Sequence, residues 1–311
     1  MAKKIKFKGV GVVNPTPFDS KDRFDAEEFK RHLDFMVEAG VNVINLTAAC
    51  GEGMKLSEEE HKLVLKTAVD HLNGRAYVLA YPTRLSVIET VRVARQCEDL
   101  GANGIKLMTL PYWVAQPAGV YETYKAIIES IKIDVVLYNN IPRTNVNLSV
   151  STVKRLAEEY PEQVVGIKEG NFSQVKDLVA GLKDTRPEFK IMAAGVNDLI
   201  PTMALGGHGM ITLLACVAPK LAVDIYESCV AGDFVKAREL YYDNKELIDL
   251  TPARLIGDTN PRSVKYMLNL MGWNMGKPRL PDTWPPSPEN QATYKKVLDK
   301  FGLLKGDNNP Q

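Results

Sequence analysis

The chain has 311 residues, of which 45% are hydrophobic and 25% charged, with a formal net charge of +1. That composition is globular, and the near-zero charge gives no basic surface for nucleic acid and no acidic tail. No run of about 18 apolar residues occurs, so no transmembrane helix and no membrane partner are expected.

Short β-rich runs alternate with longer runs of helical period along the chain. Gly9–Val13 reads as the first strand and Val41–Leu46 as the second. Ser57–Leu72 reads as a helix, because Ser57 can cap it and Glu58, Glu59 and Glu60 then sit at the positive end of its dipole. Arg75–Ala80 is a strand, Ser86–Leu100 a helix ended by Gly101, Gly104–Met108 a strand and Gly119–Ser130 a helix. Val135–Tyr138, Val164–Lys168, Lys190–Ala193 and Met210–Leu213 complete eight strands, with helices at Ser149–Glu159 and Ser173–Lys183 between them. The strands are almost continuously apolar, which is the pattern of parallel strands covered on both faces. The sequence contains neither a G-x-G-x-x-G after a strand nor a GxxxxGK[ST], so a closed (β/α)8 TIM barrel is favoured over an open nucleotide-binding sheet.

Four further helices are expected after the last strand: Ala218–Cys229, Phe234–Asp249, Arg262–Leu270 and Pro288–Phe301. We therefore expect a barrel over residues 1–220 and a helical extension over 221–311, packed on it as one unit. Met275–Pro288 is proline-rich and reads as an ordered surface crossing, and Lys305–Gln311 is expected to fray. The basic residues that open the chain precede no apolar run, so no secretory signal is expected. Cys50, Cys97, Cys216 and Cys229 lack CxxC spacing and read as reduced thiols of a cytoplasmic protein. His32, His61, His71 and His208 form neither HxxxH nor HExxH, so no metal site is expected.

Barrel chemistry sits where strands end. Two lysines follow a Gly-Ile pair. Lys106 comes early in its strand and is expected near the barrel bottom or outside the mouth. Lys168 ends its strand and is placed to meet a ligand. An amine there can attack a ketone carbonyl; a salt-bridged structural lysine is the plainer alternative. Tyr138 ends the preceding strand, where a phenol can pass protons to an imine or simply pack. Arg143 follows it, with a guanidinium fork that suits a carboxylate. The small residues Ala48-Ala49-Cys50-Gly51 can expose backbone N–H groups as an anion nest, or merely turn the chain.

These residues resemble the dihydrodipicolinate synthase/N-acetylneuraminate lyase family of class I aldolases. The resemblance rests on Pro15-Thr-Pro-Phe18, Gly51-Glu52 with Leu56-Ser-Glu-Glu-Glu-His61, Pro111-Tyr112, and Tyr138-Asn139 with Arg143-Thr144. Gly166-Ile-Lys-Glu169 and Ala204-Leu-Gly-Gly207 with Gly209 follow in the same order. The resemblance implies a TIM barrel with extra C-terminal helices, assembled as a homotetramer or homodimer. It implies Lys168 as Schiff-base lysine, Tyr138 as proton relay, and the backbone of Ala49 and Cys50 as the cradle of a 2-oxo acid carboxylate. It also implies Arg143 at the site entrance, and Gly195, after the seventh strand, among the binding residues.

Two departures bear on the reaction. Family synthases carry Gly-Thr-Thr-Gly-Glu where this chain has Ala48-Ala49-Cys50-Gly51-Glu52, and a second tyrosine, donated across the dimer, where it has Trp113. The loss of both hydroxyls and a phenol speaks against dihydrodipicolinate synthase activity itself and marks a divergent member. The expected activity is imine formation with pyruvate or another 2-oxo acid, followed by aldol addition to an aldehyde or the reverse cleavage, with no cofactor. A 2-keto-3-deoxy sugar-acid dehydratase or a hydratase-aldolase would use the same imine, and a catalytically silent 2-oxo-acid-binding barrel is a further alternative.

Overall fold

The computed structural model describes residues 6–251 and 258–305. Eight parallel strands form a closed barrel: β1 (Gly9–Val13), β2 (Val43–Asn45), β3 (Tyr77–Ala80), β4 (Gly104–Met108), β5 (Asp134–Asn139), β6 (Val164–Glu169), β7 (Lys190–Ala193) and β8 (Gly209–Thr212). Each strand pairs with the next, and β1 pairs with β8. All eight expected strands are present. β1 to β5 are buried along almost their whole length, which is why their sequences are continuously apolar instead of alternating.

The helices that the capping residues announce are those that form. In α2 (Glu58–Leu72), Ser57 accepts from the Glu60 N–H while the Glu60 carboxylate accepts from the Ser57 N–H, a complete capping box. Ser86 caps α3 (Val87–Asp99) and Ser149 caps α6 (Val150–Glu159). α4 (Pro117–Ile128) starts on a proline, whose missing N–H is one the first helical turn leaves unpaired anyway. A single 3-10 turn over Phe172–Gln174 precedes α7 (Val175–Leu182).

Two barrel helices carry no strong sequence signal. α1 (Ala26–Glu38) is rich in charge, yet Asp25 caps it and Phe29, Leu33 and Met36 form its buried stripe. α8 (Leu199–Ala204) spans barely more than one turn. α5 (Ile141–Thr144) and α9 (Leu214–Val217) are single turns following β5 and β8. α10 (Pro219–Val230) packs on β1, α1 and α8 and closes the ring of helices. The expected boundary at 220 falls inside it, and we propose that the barrel ends after α10.

The extension comprises α11 (Phe234–Asp243), α12 (Lys245–Leu250), α13 (Asn260–Leu270) and α14 (Pro288–Lys300). The single helix expected over 234–249 breaks at Asn244, whose φ of −108° leaves the helical range. Residues 306–311, most of the segment expected to fray, lie outside the described residues, as do 1–5 at the start.

Candidate active site

Strand register sets the first half of the site. Met108 pairs with Tyr138, Tyr138 with Lys168, and Lys168 with Met192, so these residues share one level at the C-terminal rim. Lys168 Nζ lies 4.8 Å from the centre of the Tyr138 ring, and its side chain is 5% exposed. The Tyr138 hydroxyl accepts a 2.7 Å bond from Asn140 Nδ2, which fixes the phenol without using its proton.

A polar network on β5 and β6 holds these two residues from behind. Asn139 Nδ2 donates to Glu169 Oε1 at 2.8 Å and to Asn147 Oδ1 at 2.9 Å, and Glu169 Oε1 also accepts from the Asn171 N–H. Burial pushes the Glu169 carboxyl up to about 7, although its hydrogen bonds to Asn171, Asn139 and Gln174 pull it down.

The second half of the site is the loop after β2. Thr47 and Glu52 adopt positive φ values of 52° and 56°. Thr16 Oγ1 bonds the Gly51 carbonyl at 2.8 Å, and a Cβ on Gly53 would come 1.7 Å from the Thr47 carbonyl oxygen. Only a glycine fits there, so the loop is forced into a tight curl. No described residue accepts a bond from the Ala49 or Cys50 N–H. Two amides left open beside a cavity are what an anion nest requires. Burial, then the Glu52 charge, pushes the Cys50 thiol up to about 12, so it stays protonated and inert as a nucleophile.

The curl is anchored by distant residues. Glu52 pairs with the fully buried Lys265 of α13 at 2.8 Å, and its other oxygen accepts from Lys55 Nζ and from the Arg279 N–H. Arg279 in turn reaches Glu60 of α2.

Between the two halves lies a cavity of about 280 Å³, lined by Ala48, Ala49, Cys50, Tyr138, Arg143 and Lys168 among others. It opens into a second space of about 590 Å³ that shares Ala49, Tyr81, Met108, Arg143 and Asn260 with it. A small oxo acid fits the inner space, with room beyond Arg143 for a longer molecule.

Five of the seven residues expected at the site therefore meet around one cavity: Lys168, Tyr138, Ala49, Cys50 and Arg143. Trp113 does not join them. It stands 59% exposed beside Tyr112, the two rings edge to face at 4.9 Å. Gly195 lies outside the lining, where its neighbours Ala194 and Asp198 take its place. Lys106 is the larger correction. It sits opposite Val136 on β5, two residues below Met108, and its long side chain rises inside the barrel to line the same cavity as Lys168. Counting positions from the strand end hid that reach. Sequence reading also missed Asn45, which receives a hydrogen bond from the Lys106 amine. A lysine and an asparagine inside otherwise apolar strands were the available signal. Among the described residues, no group of three His, Cys, Asp or Glu side chains could hold a metal ion, and no helix is long and apolar enough to cross a membrane.

A model of the dihydrodipicolinate synthetase family matches residues 6–301. The 4-hydroxy-tetrahydrodipicolinate synthase of Methanocaldococcus jannaschii is 37% identical over 301 residues, covering 96% of this chain and all of that protein. Dihydrodipicolinate synthase from Thermotoga maritima superposes with a TM-score of 0.90 at 31% identity, over 96% of this chain and 99% of its own. The chloride-inhibited dihydrodipicolinate synthase from Acinetobacter baumannii complexed with pyruvate gives 0.88 at 28% identity, over 96% and 100%. Fold and likeness together define a class I lyase, an enzyme that works through a lysine Schiff base. The chain belongs to the dihydrodipicolinate synthetase family.

Proposed function

We propose that Lys168 forms an imine with pyruvate or a related 2-oxo acid, and that the resulting enamine adds to an aldehyde or is released by the reverse cleavage. The observation that carries this reading is the shared level of Lys168 and Tyr138 in a cavity closed by the open amides of Ala49 and Cys50. The amine attacks the keto carbon while those amides hold the carboxylate. The Tyr138 phenol exchanges protons with the carbinolamine oxygen. Arg143, between the inner and outer spaces, receives the far end of the second substrate. A. baumannii synthase with pyruvate bound supports the choice of oxo acid.

The loop offers the substrate no hydroxyl, because Ala48, Ala49 and Cys50 stand there, and the outer space sets Met54, Leu85, Met108 and Pro111 against Lys55, Arg143, Asn260 and Asp282. That mixed lining suits an aldehyde that carries both an apolar part and polar groups. We further infer a homodimer or homotetramer, supported by the exposed strip of Tyr112, Trp113 and Val114, and a cytoplasmic location, supported by four free cysteines.

Borohydride reduction in the presence of pyruvate, followed by peptide mapping, tests the reading. A covalent adduct on Lys168 is expected. Failure of a panel of 2-oxo acids to leave any adduct would sink it. Product analysis then separates the reactions: an aldolase releases pyruvate from its substrate, whereas a dehydratase converts a 2-keto-3-deoxy acid without releasing it.

A further inference from the structure

Lys106 is an unusual residue to find inside this barrel. It is 1% exposed, its amine donates to Asn45 Oδ1, and it lies 4.6 Å from the centre of the Tyr138 ring that Lys168 also faces. Among the described residues no carboxylate pairs with either amine. Two lysines thus share one cavity and one aromatic ring without an anion to neutralise them. Burial, followed by the nearby positive charges of Lys168 and Arg143, holds the Lys106 amine well below the usual lysine range. A neutral amine is a base.

The rest of the lining narrows the choice of proton carrier. The groups facing Lys106 are Asn45 on β2, Tyr81 after β3, Tyr138 on β5, Arg143 on α5 and Lys168 on β6. Asn45 does not titrate, and Arg143 is permanently charged. Burial pushes Tyr81 up to about 12, as it does Cys50. Asp198 belongs to the lining but is partly exposed to solvent. Besides Tyr138, Lys106 is the buried group able to take up and return a proton.

Resting on the Schiff-base reading above, we propose that Lys106 is a second catalytic lysine, the base that takes, stores and returns the protons of imine and enamine formation at Lys168. The Lys106 lone pair takes one proton from the Lys168 ammonium. The freed Lys168 nitrogen bonds the keto carbon, and the carbonyl π pair moves to oxygen, which takes the Tyr138 phenol proton as Lys106 returns its own to the phenolate. Lys106 next takes a proton from the carbinolamine nitrogen. It hands this proton through the Tyr138 phenol to the hydroxyl, which leaves as water while the nitrogen lone pair closes the iminium. The sum is ammonium plus ketone giving iminium plus water, with Lys106 neutral again. In the following step Lys106 takes a proton from the carbon next to the iminium. The C–H pair forms the C=C bond, and the C=N π pair returns to nitrogen as the enamine. No external reagent is needed.

The test compares wild type, Lys106→Met and Lys106→Arg by the rate of borohydride-trapped pyruvate adduct between pH 6 and 9, together with deuterium uptake into the pyruvate methyl group in D2O. A base of this kind contributes about 100-fold or more. Lys106→Met should lose about that factor near neutral pH. Its rate should climb with pH where the wild-type rate is flat, because solvent must then remove the proton. Lys106→Arg puts a permanent cation there that cannot cycle a proton, so it should not rescue. Lys183→Met, at an exposed lysine away from the cavity, is the control and should keep the wild-type profile, while Asp198→Asn asks whether the lining carboxylate carries the pH effect instead.

Adduct on Lys168 with an unshifted profile in Lys106→Met, rescue by arginine, or transfer of the pH effect to Asp198→Asn would each overturn the proposal, as would an adduct on Lys106 itself. Absence of any adduct on wild type would instead overturn the Schiff-base reading beneath it. If Lys106→Met does not fold, trace acetylation of the wild type replaces it: Lys106 labelling near neutral pH as a free amine supports the role, and labelling only in the ordinary alkaline range of lysine overturns it.

Discussion

The two halves of the active site are built by different means. Around β4 to β6, the chemistry is placed by register: Met108, Tyr138 and Lys168 sit side by side because their strands pair residue to residue. Across the cavity, the Thr47–Gly53 curl has no ladder to hold it. Its shape depends on Glu52, and Glu52 depends on Lys265 and Arg279, more than two hundred positions away. One half is a local consequence of strand pairing and the other a tertiary consequence of a buried ion pair. Damage to the first should remove chemistry, and damage to the second should remove stability and carboxylate binding.

The largest expected effect is in the first half. Lys168→Ala should leave no trappable adduct and no turnover, since the nitrogen that bonds the substrate is gone. Full turnover in that variant would break the comparison at its root. Next comes the anchor. Lys265→Met leaves the Glu52 carboxylate without its fully buried partner, and removing one member of such a pair costs about 3–5 kcal/mol. Denaturant unfolding measures this, and the surviving folded protein should bind pyruvate weakly while its Lys168 remains in place. Tyr138→Phe removes one proton carrier and is expected to slow adduct formation by about 100-fold, with stability little changed.

A pH measurement sharpens the same contrast. Glu169 behind Lys168 has its carboxyl raised to about 7 in the fold, against 4.5 for an ordinary glutamate. A raised acid is easier to keep neutral when folded, so its contribution to stability is full below about 4.5 and is lost as pH rises through about 7. Glu169→Gln should flatten that part of the stability profile. Trp113→Ala should do least to the single protomer, shifting its stability by roughly 0.5 kcal/mol or less because the ring is exposed there, and should instead weaken the proposed oligomer, read by sedimentation. A large loss of adduct formation there would place Trp113 in the site after all.

How far the sequence could be read follows the same division. The strands, the serine-capped helices and the pair of Lys168 and Tyr138 were legible, since apolar runs, caps and strand ends are local signals. α1 was missed although Asp25, Glu27 and Glu28 mark its start, because its sequence is mostly charged and its apolar stripe narrow. Trp113 and Gly195 stand outside the cavity lining of the single protomer, because both belong to loops, whose paths no periodicity fixes. Lys106 was misplaced for another reason: counting from the strand end locates a Cα, while four methylenes decide where the amine arrives. Glu52 was recognised only as part of a motif, and nothing near it in sequence names Lys265 as its partner.

The Glu52–Lys265 clasp bears on any attempt to pare this enzyme down. A fragment stopping after the eighth strand would retain the nucleophile and much of the wall around it. It would lack the clamp that curls the facing loop, and so arrive at its substrate with a reactive amine and nowhere to seat the acid. The trailing helices are therefore half of the binding apparatus, and shortening them should weaken capture of the oxo acid before it affects bond-making.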